Sequence, residues 1–194
     1  MDDNLAKIRH ERSKKDFPSI AFEDGEYVEF AFSRARVCFL LIWGITFTGI
    51  ILVLAGFLFT LMGQNKLDEM GLRFLFIILF ALLAAILISG IVTSRVYRGN
   101  KIFITNMHVI QMIMNSPVSN SINIIDLSSV EDASFRQDTI MQKIFNYGTF
   151  RLATVGDETT YTFKYSDISP KELKEVTRLI TEAKNKSKKS ASND

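Results

Sequence analysis

Two stretches of this chain hold no charged side chain, and their lengths decide most of what it can become. Val37 to Met62 is a run of about 26 residues, ~39 Å as a helix, and Phe74 to Ser94 one of about 21 residues, ~32 Å. Both exceed the ~30 Å hydrocarbon core of a bilayer. The second carries fourteen Leu, Ile, Phe and Val residues. Each favours the membrane by roughly 0.3–0.6 kcal/mol at a helix centre, so together they contribute about 4–8 kcal/mol. A core helix of a water-soluble domain needs a polar face over such a length, and neither run has one. The sequence therefore predicts transmembrane helices over 37–62 and 74–94. The short extracytoplasmic loop between them, 63–73, makes them an antiparallel hairpin.

The first run is too long for the h-region of a cleavable signal and reads as an uncleaved anchor. Arg34 and Arg36 precede the hairpin and Arg95, Arg98 and Lys101 follow it, against Lys66 and Arg73 in the loop. That balance favours a multi-pass protein of the cell membrane with both termini cytoplasmic, and it makes those five flanking cations the expected contacts with lipid headgroups. Trp43 suits either a headgroup-level anchor or ordinary packing. Neither run contains Asp, Glu, Lys, Arg or His, the residues that line ion and proton paths, so the hairpin reads as an anchor and not as a transporter or channel. Gly49 and Gly56 on the first helix, and Ala81, Ala85 and Ser89 on the second, form smooth strips. The first expectation is that the strips pack against each other within the hairpin; the second is that they pair with another copy in a homo-oligomer.

Residues 1–36 form a cytoplasmic N-terminal segment whose first fifteen residues read as a solvated tail, since Asp2, Asp3, Glu11 and Asp16 dilute the five basic residues among them. Phe17-Pro18 breaks any helix there. Glu26 to Phe32 alternates like a short strand, with Val28, Phe30 and Phe32 on one side. From Arg95 the pattern changes to short strands separated by turn signals: 101–105, 108–114, 121–125, about 127–135, 148–155 and 159–165, with Gly156-Asp157 as a hairpin turn. This reads as a small all-β barrel or sandwich. Ser169-Pro170-Lys171-Glu172 is a capping box opening a helix whose stripe is Leu173, Val176, Leu179, Ile180 and Ala183. That helix should close one end of the β domain, 95–184. Residues 185–194 read as a disordered polar tail.

The order of these parts resembles the bacterial pleckstrin-homology-like (PH-like) membrane proteins. The matching stretches are Lys101 to Asn106 leading into Val109-Ile110; Ile125 to Asp132, similar to an I-x-L-x-x-I-x-D pattern; Phe145-Asn146-Tyr147-Gly148-Thr149, an aromatic-Gly-Thr stretch; and Ser169-Pro170. The turn Asp24-Gly25-Glu26 looks like the family's lead-in. The resemblance covers about 97–184 and implies a seven-strand fold capped by a C-terminal helix. Six strands are legible above, so the seventh is either 26–32 or part of 138–145. His108 stands where the family often carries Arg.

Several function classes are disfavoured. A net charge of +2, from 23 Lys and Arg against 21 Asp and Glu, gives no basic excess for nucleic acid. The single Cys38 gives no disulfide framework, and His10 and His108 lie too far apart for a local metal motif. No phosphate-cradling loop, zinc-helix motif or nucleophile elbow occurs, so no cofactor and no catalytic residue is assigned. Strand 108–114 offers no Lys or Arg, which disfavours specific inositol-phosphate binding. The expected function is a non-enzymatic, membrane-anchored PH-like scaffold. It would recruit an unknown protein partner to the bilayer or serve envelope upkeep, with self-association as a further property. The competing reading is an accessory subunit of a membrane enzyme or exporter.

Overall fold

In the computed structural model, which describes residues 2–63, 68–154 and 160–191, the chain opens with helix α1 (Asp2–Asp16) and strand β1 (Val28–Ser33). The two long apolar helices follow, α2 (Arg36–Met62) and α3 (Glu69–Gly99), each long and apolar enough to cross a membrane. Helix α3 outruns the expected span of 74–94 at both ends. Asp68 caps its start by accepting from the Gly71 amide at 2.9 Å, and its last turns continue to the β domain. The connecting loop is correspondingly shorter than 63–73, and Lys66 lies outside the described residues.

The seam between α2 and α3 follows a three-four spacing on α3. Among its half-buried or buried positions, Leu72, Leu75, Leu79, Leu83, Ile86, Gly90, Ser94 and Tyr97 recur at this spacing, the pattern of two helices packed side by side. The tightest approach is at Gly90, where an added Cβ would lie 2.7 Å from Thr46 Oγ1. The smooth strips do not interlock as expected. Gly49 does face Ile86, but Gly56 borders an apolar groove, and Ala81, Ala85 and Ser89 are exposed on the outer side of α3. At four-residue spacing those three positions fall out of phase with the buried stripe.

Beyond α3 come β2 (Lys101–Thr105), β3 (His108–Ser116), β4 (Ser119–Asp126), a 3-10 turn at Leu127–Ser129, β5 (Val130–Arg136), helix α4 (Ile140–Ile144), β6 (Gly148–Thr154), β7 (Thr160–Ser166) and helix α5 (Pro170–Ala191). All pairings are antiparallel. They build a four-stranded sheet in the order β1-β2-β3-β4 and a three-stranded sheet in the order β5-β6-β7. The core between them is formed by Phe32, Ile102, Ile104, Leu127, Phe150 and Phe163, closed by Ile168, Val176 and Ile180 of α5 and the residues before it. The capping box at Ser169 forms as read. Its amide donates to Glu172 Oε2 at 2.8 Å, and its hydroxyl accepts from the Glu172 amide at 3.3 Å.

Strand β1 pairs with β2, with Phe32 opposite Ile102 and Ser33 opposite Lys101. The seventh strand is therefore the one before the hairpin, and 140–144 is a short helix. The whole α2–α3 hairpin is an insertion in the β1–β2 connection, so the β domain begins before the hairpin and not at residue 95. The N-terminal segment also departs from the expected solvated tail. Helix α1 docks on the β domain through buried His10 and Ser13, whose hydroxyl accepts from the Val28 amide at 3.0 Å, and Phe17 meets Phe103 edge-on. No apolar stripe announces α1, because it is held through polar contacts. Helix α5 continues to Ala191, into the segment expected to be a disordered tail. Extending an existing helix costs far less than starting one, so polar residues of fair propensity suffice. The turn at Gly156-Asp157 lies outside the described residues.

Candidate functional site

Both flanks of the hairpin enter the β domain at one place, and a ring of aromatic side chains fixes them there. The Ala35 amide donates to the Tyr165 carbonyl at 2.6 Å, and the Tyr97 hydroxyl donates to the Ala35 carbonyl at 2.9 Å. Tyr165 lies 6.5 Å from Tyr97 and 6.3 Å from Tyr147 between ring centroids. On the α3 flank, Asn100 donates to the Val96 carbonyl at 2.7 Å and the Met114 carbonyl at 3.1 Å, tying the helix end to β3.

Local backbone features make this neck. Tyr165 has φ +62°, a left-handed conformation that costs a side-chain-bearing residue of order 1–3 kcal/mol and turns its carbonyl toward Ala35. Gly148 admits no side chain: an added Cβ would sit 2.5 Å from the Arg136 carbonyl and 2.7 Å from the Phe135 ring. The aromatic-Gly-Thr stretch thus marks the point where β6 begins hard against β5, with Tyr147 turned into the neck.

Arg34 is the charged residue inside this junction. Its guanidinium lies 5.3 Å from the Tyr97 ring centroid and 5.9 Å from that of Tyr165. Burial pulls its pKa below the ordinary guanidinium value, and the facing tyrosines oppose the shift. An arginine nonetheless stays charged. Its Nε is buried with no hydrogen-bond partner among the described residues. Beside it is a cavity of about 130 Å³ lined by Arg34, Asn100, Gln111, Ile113, Thr162, Phe163 and Lys164. A space of that size accommodates a few waters or one small anion, not a metabolite.

Of the five expected headgroup contacts, Arg34 is therefore a half-buried neck residue and the other four surround it. Arg36, Arg95, Arg98 and Lys101 are exposed, with Arg98 resting 5.1 Å over the Phe39 ring. They form a cationic collar where the apolar helices meet the β domain. Trp43, about two turns into α2, lies tilted against Phe47 with ring centroids 5.8 Å apart.

A second polar cluster sits at the far end of the β domain. Glu26 is 1% exposed. Its carboxylate accepts from Thr105 Oγ1 at 2.6 Å, from the Glu23 amide at 3.0 Å and from His108 Nδ1 at 2.9 Å. His10 donates from Nδ1 to the Glu26 carbonyl at 2.5 Å. Burial pushes the Glu26 carboxyl up, but the bonds from Thr105, Glu23 and His108 outweigh it, and the net pKa is below the ordinary value. The two histidines, 98 positions apart in sequence, thus converge on one residue. Among the described residues, no group of three or more His, Cys, Asp or Glu is placed to hold a metal. The cluster locks α1 and β1 onto the β2–β3 turn. In the sequence Glu26 stands out only as part of a turn and as the start of an alternating stretch; the signal it held was a carboxylate at the head of an apolar strand.

The bacterial PH domain family model matches residues 37–184. The match takes in both long helices and runs through β7 into α5, while α1, β1 and Glu26 fall outside it. No curated protein and no solved structure gives a significant match.

Proposed function

The chain belongs to the bacterial PH domain family, and we propose that it works as a membrane-anchored, non-enzymatic module holding its β domain against the cytoplasmic face of the cell membrane to bind a partner. The observation that carries this reading is the outer surface of the hairpin. Phe59 is 81% exposed, and Ile45, Phe80, Ile77 and Ile88 also point away from the protein along α2 and α3. Such a surface is stable in hydrocarbon and costly in water. The neck supports the same reading, because hydrogen bonds on both flanks orient the β domain relative to the helices.

The partner surface is proposed to be the outer edge of β4. Among the described residues this strand is paired only with β3, and it exposes Ile122 and Ile124. An unpaired strand edge accepts an extended peptide as an additional strand, with alternate side chains supplying selectivity. Self-association is a second property of the reading: Ala81, Ala85 and Ser89 face outward, where a second copy could approach α3 closely.

The test is capture of partners by the full chain in lipid nanodiscs, compared with the Ile122→Lys/Ile124→Lys variant. The reading expects a protein recovered with the parent chain and lost with the variant, while alkaline carbonate leaves both chains in the membrane fraction. Equal recovery by both would reject the β4 edge, and carbonate extraction of the intact chain would reject the anchor.

A further inference from the structure

Helix α4 is too short to fold for its own sake, and its side chains do not contribute to the core. None of its residues is buried; Ile140 is 77% and Ile144 67% exposed, with Met141 and Phe145 also outside. Four large apolar side chains on one short segment would normally be covered. The helix is also held firmly. Thr139 and Gln142 form a reciprocal capping box, the Tyr147 amide donates to the Gln142 carbonyl at 3.0 Å, and Gln137 Nε2 donates to the Gln142 and Tyr147 carbonyls, each at 3.2 Å. These bonds tie α4 to Tyr147, whose ring centroid lies 6.3 Å from that of Tyr165, and the Tyr165 carbonyl accepts from the Ala35 amide just before α2. The exposed apolar segment is thus anchored beside the point where the chain enters its uncharged run.

We propose that α4 is a lipid-facing foot of the β domain: Ile140, Met141, Ile144 and Phe145 enter the headgroup–acyl boundary of the leaflet that the hairpin pierces. This rests on the membrane reading of α2 and α3. Lys143 within α4 and the collar of Arg36, Arg95, Arg98 and Lys101 at the ends of α2 and α3 supply exposed positive charge, suited to anionic headgroups. On the other sheet, the β3–β4 turn carries almost fully exposed Val118, a few residues beyond Met114, which packs on Gly99 at the end of α3. Apolar contacts on both sides of the neck would seat the domain flat on the bilayer and fix which way the β4 edge faces. A short apolar helix lying in the interface gains from its buried area without crossing the membrane.

The test uses the full chain with Cys38→Ser in nanodiscs containing phosphatidylglycerol, labelled with a polarity-sensitive fluorophore at one of three introduced cysteines: Ile144→Cys in the foot, Ile51→Cys in α2, and Glu131→Cys at the far end of the β domain. Spin-labelled lipids then act as quenchers. The proposal expects quenching at 144 by lipids labelled near the headgroup, several-fold above that at 131, and quenching at 51 by lipids labelled deep in the chain. A water-like spectrum at 144 with deep quenching at 51 overturns the foot and leaves the anchor standing. A blue-shifted but unquenched 144 means that a protein surface covers α4, and this also overturns it. Absence of quenching at 51 overturns the membrane reading itself.

Discussion

Because the hairpin is inserted between β1 and β2, the β domain can be freed from it, but only if β1 is kept. Ser33 and Lys101 are directly opposite on antiparallel strands. Opposed Cα atoms in such a pair are ~4.5–5.5 Å apart, a gap that a two-residue Asn-Gly turn closes. A chain of residues 2–33 joined by Asn-Gly to residues 101–191 keeps all seven strands, the Glu26 cluster and α5. A chain that begins at Arg95 loses β1, and with it buried Phe32 and the partly buried Phe30 that packs on the core. Removing each ring costs about 3–5 kcal/mol on the scale of core Phe→Ala changes. The pair then accounts for about 6–10 kcal/mol, comparable to the whole 5–15 kcal/mol stability of a typical domain. The rejoined chain is expected to give a dispersed proton–nitrogen NMR spectrum and a cooperative melt by circular dichroism. The chain from Arg95 is expected to give collapsed amide shifts and no transition. Phe32→Ala in the rejoined chain should lower its melting temperature by more than about 10 °C. Equal dispersion and equal melting of the two truncated chains would refute the placement of β1 in the domain.

Further predictions concern single contacts. Glu26→Gln replaces a carboxylate that accepts three hydrogen bonds and should cost about 2–4 kcal/mol. Because the folded Glu26 carboxyl lies below its ordinary value, its stabilisation is present above about pH 5 and disappears as pH falls through the folded pKa. The melting temperature of the variant should therefore fall less steeply in acid than that of the parent, and parallel acid profiles would count against the assignment. Gly148→Ala drives a Cβ against the Arg136 carbonyl and should destabilise the rejoined domain by about 1–3 kcal/mol; an unchanged melt would show that β5 and β6 can part there. Gly90→Ile should loosen the hairpin in nanodiscs, measured as faster proteolysis of the connecting loop, and Thr46→Ala should restore protection; lack of rescue would reject the Thr46–Gly90 contact.

Features governed by local chemistry were legible in the sequence. The charge-free runs predicted α2 and α3, the alternation of Ile102 and Ile104 or Phe150 and Leu152 predicted strands, and Ser169-Pro170-Lys171-Glu172 predicted a cap that forms with the expected partners. What escaped depends on contacts distant in sequence. Glu26 to Phe32 looked like a strand, but its partner β2 lies beyond the hairpin, so its membership in the sheet had no local signal. Helix α1 has no amphipathic stripe and is held by His10 and Ser13. The pairing of Glu26 with His10 crosses 16 residues and that with His108 crosses the whole hairpin, 82 residues. Arg34 looked like a flanking cation among others; its place in the neck comes from contacts with Tyr97 and Tyr165, both far away in sequence. The helical spacing of Ala81, Ala85 and Ser89 was real, but its phase against Gly90 and Ser94 turns that strip outward.

The hairpin is expected to cross the bilayer and return, leaving the β domain on the cytoplasmic side. The direct measurement is accessibility labelling of the full chain in intact cells, with Cys38→Ser and one introduced cysteine, either Asn65→Cys between α2 and α3 or Asn120→Cys at the start of β4. An impermeant maleimide should label position 65 from outside the cell and position 120 only after the membrane is opened. Labelling of both positions from the same side would contradict the crossing.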